Sequence, residues 1–126
     1  MPFVRIFTGS RYGAPECQRI SDILHRALTD TFAVPQADRF HFFDRFADGI
    51  RIFDRHYLSG GRSEGYLLFH IVAGKPRDAA QKAAFYRQLA RDLQNEMGIA
   101  GDDVMVVIQF TAAEDWSFSR GELYRP

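Results

Sequence analysis

Two places in this 126-residue chain carry residue types that could do chemistry. The first is Pro2, directly behind Met1 and ahead of an apolar, strand-like run. A proline is tolerated at the first residue of a strand, where its missing N–H costs no ladder bond. Removal of Met1 would also make it a secondary amine, and an α-amino group titrates near ~7.7–8.0. Neutral, such an amine can take a proton from carbon beside a carbonyl. Protonated, it can donate to a carbonyl, or activate one toward water or loss of carbon dioxide; it could instead form an imine. The second place is Lys75-Pro76-Arg77, just ahead of a helical pattern whose N-cap is Asp78. Two cations beside a helix's unsatisfied N–H groups suit a small carboxylate and a developing enolate. The plain alternative is a pair of solvated helix-start charges.

These groups need a scaffold, and the chain is long enough to bury a core as one domain, residues 1–126. Sixteen basic and sixteen acidic residues cancel, which argues against a general nucleic-acid or anionic-membrane binder. Cys17 is the single cysteine, so no internal disulfide forms and a reducing cytoplasm is expected. The longest apolar stretch, residues 66–74, contains His70 and is too short to span a membrane. Twelve phenylalanines are more apolar surface than a modest core absorbs, which points to self-association. His25, His41, His56 and His70 lack metal-ligand spacing. His25 is expected on a helix surface, His70 on a strand and Cys17 in the core.

Sliding the sequence by 65 residues superposes two units, about 2–46 and 67–111. Val4 to Gly9 falls on Phe69 to Gly74; Ile20, Leu24, Leu28 and Phe32 fall on Phe85, Leu89, Leu93 and Met97. Each unit reads strand, helix, strand. The first has a strand at 3–8, a helix at 15–32 stopped by Pro35, and a strand at 39–46. A short strand at 50–53 and a turn-rich loop at 58–65 connect the units. The second has a strand at 67–73, a helix opened by an Asp78/Gln81 capping box and closed by Gly98, and a strand at 104–110. That last run is almost wholly apolar and is expected to be buried on both faces. Two right-handed βαβ units make an α+β fold: a four-stranded mixed sheet with both helices on one face. Other subunits are expected to cover the opposite face.

Pro2, the duplicated βαβ unit and several motifs resemble the tautomerase superfamily, most of all its malonate semialdehyde decarboxylase group. The motifs are Val34-Pro35-x-x-Asp38-Arg39-Phe40, Gly61-Arg62-Ser63, Lys75-Pro76-Arg77 with Gln81-Lys82 and Phe85-Tyr86, Gly98-Ile99 with Asp102-Asp103-Val104, and Asp115-Trp116-Ser117-Phe118. The resemblance implies a tautomerase-like fold and a homotrimer, with active sites around Pro2 and neither metal nor organic cofactor. It implies a small oxo acid such as malonate semialdehyde as substrate, with a keto–enol tautomerase on a 2-oxo acid as the alternative. Carried across residue by residue, Pro2 matches the catalytic proline and Asp38 the carboxylate beside it. Arg77 matches the second arginine of an Arg-Pro-Arg motif, and Trp116 and Phe118 match an apolar wall. Lys75 stands where the family has the first arginine, keeping the charge but losing the planar fork that grips a carboxylate bidentately. Asp38 would favour a protonated Pro2; Lys75 and Arg77 would oppose it.

Two other readings compete. The duplicate of Asp38 is Asp103, so this aspartate could simply cap the turn into a strand. Arg39-Phe40-His41-Phe42-Phe43-Asp44-Arg45-Phe46 interleaves charge with aromatics, as a nucleic-acid stacking platform would, but zero net charge weighs against it. Arg11, in the loop equivalent to 75–77, is a weaker candidate for the site.

Overall fold

The computed structural model describes residues 2–126. Strand β1 (Pro2–Gly9) leads into helix α1 (Ala14–Phe32) and strand β2 (His41–Phe46). Strand β3 (Leu67–Ala73), helix α2 (Ala79–Met97) and strand β4 (Val104–Phe110) repeat the plan. The sheet order is β2-β1-β3-β4. Each unit's own pair is parallel, and β1 and β3 meet antiparallel at the centre. The offset of 65 carries the pair Val4–His41 onto Phe69–Val106 and Ala14–Phe32 onto Ala79–Met97.

Local chemistry sets the helix ends. Asp78 accepts from the Gln81 N–H at 2.8 Å, and the Gln81 side chain accepts from the Asp78 N–H at 3.1 Å. Gly98 closes α2 in the left-handed region, φ 67°. Its counterpart is Ala33, φ 54°, which holds the same conformation with a Cβ and so with strain. Val34 N–H reaches back to the Leu28 carbonyl there.

Alternate residues of β1 and β3, namely Val4, Ile6, Leu67, Phe69 and Ile71, face the helices. They pack against Ile20, Leu24 and Leu28 of α1 and Phe85, Leu89 and Leu93 of α2, all fully buried. Each such side chain contributes roughly 1.5–3 kcal/mol. The other face of the sheet carries Phe3, Phe7, Phe42, Leu68, Met105 and Val107. Phe3 packs on Phe42 and Phe7 on Phe46. The Arg5–Asp44 ion pair, 2.9 Å, lies among them. No helix among the described residues is long and apolar enough to cross a membrane.

Three expectations need correction. β4 is not buried on both faces: it is an edge strand, with Met105 and Val107 each 43% exposed. Residues 50–53 form no strand, and Ile52 is 96% exposed. The backbone there is held by arginine side chains instead: Arg51 donates to the Glu64 and Tyr66 carbonyls and Arg55 to that of Arg62. His25 is not on a helix surface; it is 1% exposed, inside the first unit. Cys17 is buried as expected.

Candidate active site

An open cavity of about 820 Å³ lies where the two units meet. From the first unit come Phe32, Ala33, Pro35, Ala37, Asp38 and Phe40, the turn between α1 and β2. From the second come Gly74, Lys75 and Arg77, between β3 and α2, and the C-terminal segment adds Ala113, Phe118, Tyr124 and Pro126. The lining is largely apolar and aromatic, and it also holds a carboxylate and two cations.

The turn at 35–38 closes through Asp38 N–H to the Pro35 carbonyl, 3.0 Å. Arg77 reaches across the seam, donating to the Phe32 carbonyl at 2.8 Å and to the Lys75 carbonyl, with its guanidinium over the Phe32 ring. It therefore neutralises the negative end of α1 as well as bordering the cavity. Partial burial lowers its pKa from the usual guanidinium value. Lys75 is exposed beside it.

The apolar wall is built by a chain of contacts. Thr111 N–H pairs with the Ala73 carbonyl, and the Trp116 indole donates to Thr111 Oγ1 at 2.6 Å. The Asp115 carboxylate accepts from Ala112 N–H, closing a one-turn 3-10 helix at Ala113–Asp115. Trp116 then stacks on Phe118, ring centres 5.5 Å apart. Phe118 meets Phe40 at 6.4 Å and Tyr124 edge-on at 5.3 Å.

Asp38, Lys75, Arg77 and Phe118 are thus brought into one lining. Trp116 stands behind Phe118 as support. Pro2 is buried, not in the lining itself, and is placed beside it: it pairs with Ala73, next to Gly74, while Val4 N–H bonds the Phe40 carbonyl at 2.9 Å. Met1, whose removal would free the amine, lies outside the described residues. Arg11 is not brought in; it lies over the Tyr12 ring in the other half of the repeat. Phe32, Phe40 and Tyr124 were missing from the sequence-based site. Phe40 lay in a quoted motif, whereas nothing in the pattern around Tyr124 marks it.

The duplicate of this cavity is plugged. Asp103 is 5% exposed and accepts from Ser63 N–H at 2.6 Å and Ser63 Oγ at 2.5 Å. Tyr12, at the position of Arg77, donates to the Gly65 carbonyl at 3.1 Å. A Cβ on Gly65 would stand 3.1 Å from Tyr12 Oη and 3.3 Å from Asp103 Oδ2, so the loop lies close against both side chains. Asp103 thus anchors the connecting loop, while its twin Asp38 borders an open cavity.

Comparison with known proteins agrees with this architecture. The sequence pattern of the tautomerase enzyme family matches residues 38–119. The probable tautomerase YusQ of Bacillus subtilis is 29% identical over 121 residues, 96% of this chain and 95% of the relative. The probable tautomerase YrdN of the same organism is 30% identical over 122 residues, 97% and 94%. A malonate semialdehyde decarboxylase structure superposes with a TM-score of 0.89 at 29% identity, over 96% of this chain and 93% of that one. A second, FG41 malonate semialdehyde decarboxylase inhibited by 3-bromopropiolate, gives 0.88 at 27%, over 96% and 92%. The chain belongs to the tautomerase family, in its malonate semialdehyde decarboxylase-like group.

Proposed function

We propose that this chain is an N-terminal-proline acid/base enzyme acting on a small oxo acid such as malonate semialdehyde. The observation that carries the reading is the seam cavity, whose lining gathers Asp38, Lys75 and Arg77 with Phe40, Phe118 and Tyr124 and includes Gly74, next to the Ala73 that pairs with Pro2. With Met1 removed, the Asp38 carboxylate would favour the protonated form of the Pro2 amine, and Lys75 and Arg77 would oppose it. Protonated Pro2 donates to the aldehyde oxygen. Lys75 and Arg77 attract the substrate's carboxylate and then the enolate charge that develops as the carbon–carbon bond to that carboxylate breaks. The bonding pair passes into the enolate and carbon dioxide leaves; the proton that Pro2 gave to oxygen passes to carbon and completes the aldehyde, and the neutral amine then takes up a proton from solvent. Phe40, Phe118 and Tyr124, with Trp116 behind, keep water from the reacting atoms. The same protonated amine could activate a carbonyl for hydration.

One observation favours a second reading. The cavity is larger than a three-carbon acid needs, and its apolar side would accept the tail of a bigger 2-oxo acid. There neutral Pro2 would move the proton between carbon and the enol oxygen, a keto–enol tautomerase. Assembly as a homotrimer belongs to the same proposal; the uncovered apolar sheet face supports it, as does a fused 4-OT of this fold solved as a symmetric trimer.

The test assays protein whose intact mass shows Met1 removed, against malonate semialdehyde and the enol form of a 2-oxo acid. Pro2→Ala should lower turnover by about 10²–10⁴-fold, the usual worth of a positioned acid or base. Unchanged turnover in Pro2→Ala would overturn the reading.

A further inference from the structure

The first unit holds a buried polar group that the mechanism above does not use. His25 is 1% exposed on α1, and its Nε2 lies 2.9 Å from the Gln36 carbonyl. A carbonyl only accepts, so Nε2 carries the proton. Nδ1 then faces the interior with no hydrogen-bond partner among the described residues. An apolar side chain would fill this place without burying an imidazole. Gln36 belongs to the 35–38 turn that carries Asp38.

His25 does not act alone on this segment. Arg39 donates to Asp22 Oδ1 at 2.6 Å, and His41 Nδ1 lies 2.7 Å from Ser21 Oγ. His25 and His41 meet edge-on, ring centres 5.9 Å apart. The Gln36 carbonyl and the side chains of Arg39 and His41 are thus tied to α1, while Ala37, Asp38 and Phe40 border the cavity. Arg39 holds the segment just after Asp38, and just before Asp38 the tie is the buried one at Gln36. Without it, a turn on the protein's surface would be free to shift, and displacement of a working group by about 1 Å can cost 10²-fold in rate.

We propose that His25 is a positioning residue: by fixing the Gln36 carbonyl from inside α1, it sets where Asp38 stands in the cavity. This rests on the proline-dependent reading, in which Asp38 works beside Pro2. His25 does not touch substrate and transfers no proton.

The test compares His25→Leu, which keeps bulk but loses the donor, with His25→Gln, whose amide N–H falls near Nε2, each alone and with Asp38→Asn. His25→Leu should lower kcat by about 10–100-fold, as misplacement of this size does, with KM little changed. His25→Gln should recover most of the loss, and His25→Leu should add little once Asp38 is Asn. An equal loss in both backgrounds, or no loss in the first, would overturn the proposal. Amide exchange at residues 36–39, measured without substrate, keeps this separate from the reaction. Faster exchange confined to that turn in His25→Leu supports the tie, and unchanged exchange refutes it even if no acid is turned over. If His25→Leu does not fold, His25→Gln against His25→Asn, whose amide is too short to reach, makes the same comparison.

Discussion

His41 makes the chain sensitive to mild acid. Its ring is partly buried where β2 begins, with Nδ1 against Ser21 Oγ. Burial, then His25, then Arg39 push its pKa down from 6.5 to about 4, with Asp22 pulling weakly the other way. The folded-state value is depressed, so above pH 6.5 the ring is neutral in both states and costs nothing. Between pH 6.5 and about 4 the unfolded chain takes up a proton that the folded chain refuses, and stability falls as pH falls. Below pH 4 both forms are protonated and the loss from this group stops. The difference corresponds to about 3 kcal/mol, or roughly 10 °C in Tm for a chain of this size. Other groups also titrate in acid, among them Asp22 and Asp92, whose pKa values are lowered by arginine partners. The comparison is therefore with His41→Asn, which keeps a polar atom near Ser21 but does not titrate. Urea denaturation of both proteins at fixed chain concentration, from pH 8 to pH 4, reads the difference. The wild type should lose about 3 kcal/mol more than the variant across that window. Parallel loss in the two proteins would refute the reasoning.

Two further outcomes follow from the twin aspartates and the cation pair. Asp103→Ala strips acceptors from Ser63 N–H and Oγ in a buried place; it should cost about 2–4 kcal/mol, seen as a lower Tm, while kcat/KM at low temperature stays near the wild-type value. Lys75→Ala should raise KM for a carboxylate substrate by about 10–100-fold at unchanged Tm, because Lys75 is exposed. Lys75→Arg should restore affinity, since the guanidinium fork grips a carboxylate at two points; an equal loss in Lys75→Arg and Lys75→Ala would show that the charge there does not meet the substrate.

Much of the scaffold was legible because each element repeats its own signals. The apolar spacing of Ile20, Leu24 and Leu28, the Asp78/Gln81 box and Gly98 all act within a few residues of chain. The 65-residue offset then supplied the sheet, since a register found in one unit holds in the other. What was not legible depends on contacts between distant segments. Residues 50–53 alternate like a strand, but arginine bonds to the 62–66 carbonyls override that pattern. The apolar run of β4 reads as doubly buried because composition does not distinguish a face covered by helices from one left open at an edge. His25 is polar, so periodicity assigned it outward; its reason for being inside is a carbonyl eleven residues later. At the candidate site, the cations and Asp38 were found through motifs, whereas Tyr124 reaches the cavity through its packing on Phe118 and its N–H bond to the Trp116 carbonyl. The fate of the two aspartates was ambiguous in sequence, because what separates Asp103 from Asp38 is a bond to Ser63, forty residues away in the connecting loop.

The antiparallel junction of β1 with β3 also governs how the molecule comes together in time. Each parallel pair closes around its own helix, β1 with β2 and β3 with β4. The central pair instead joins Pro2 to Ala73, a contact of long sequence separation whose loop entropy must be overcome before it gains anything. The cavity draws its turn from one unit and its cations from the other. Neither half can hold the cavity by itself, so on refolding it forms only with the zipping of that one central seam.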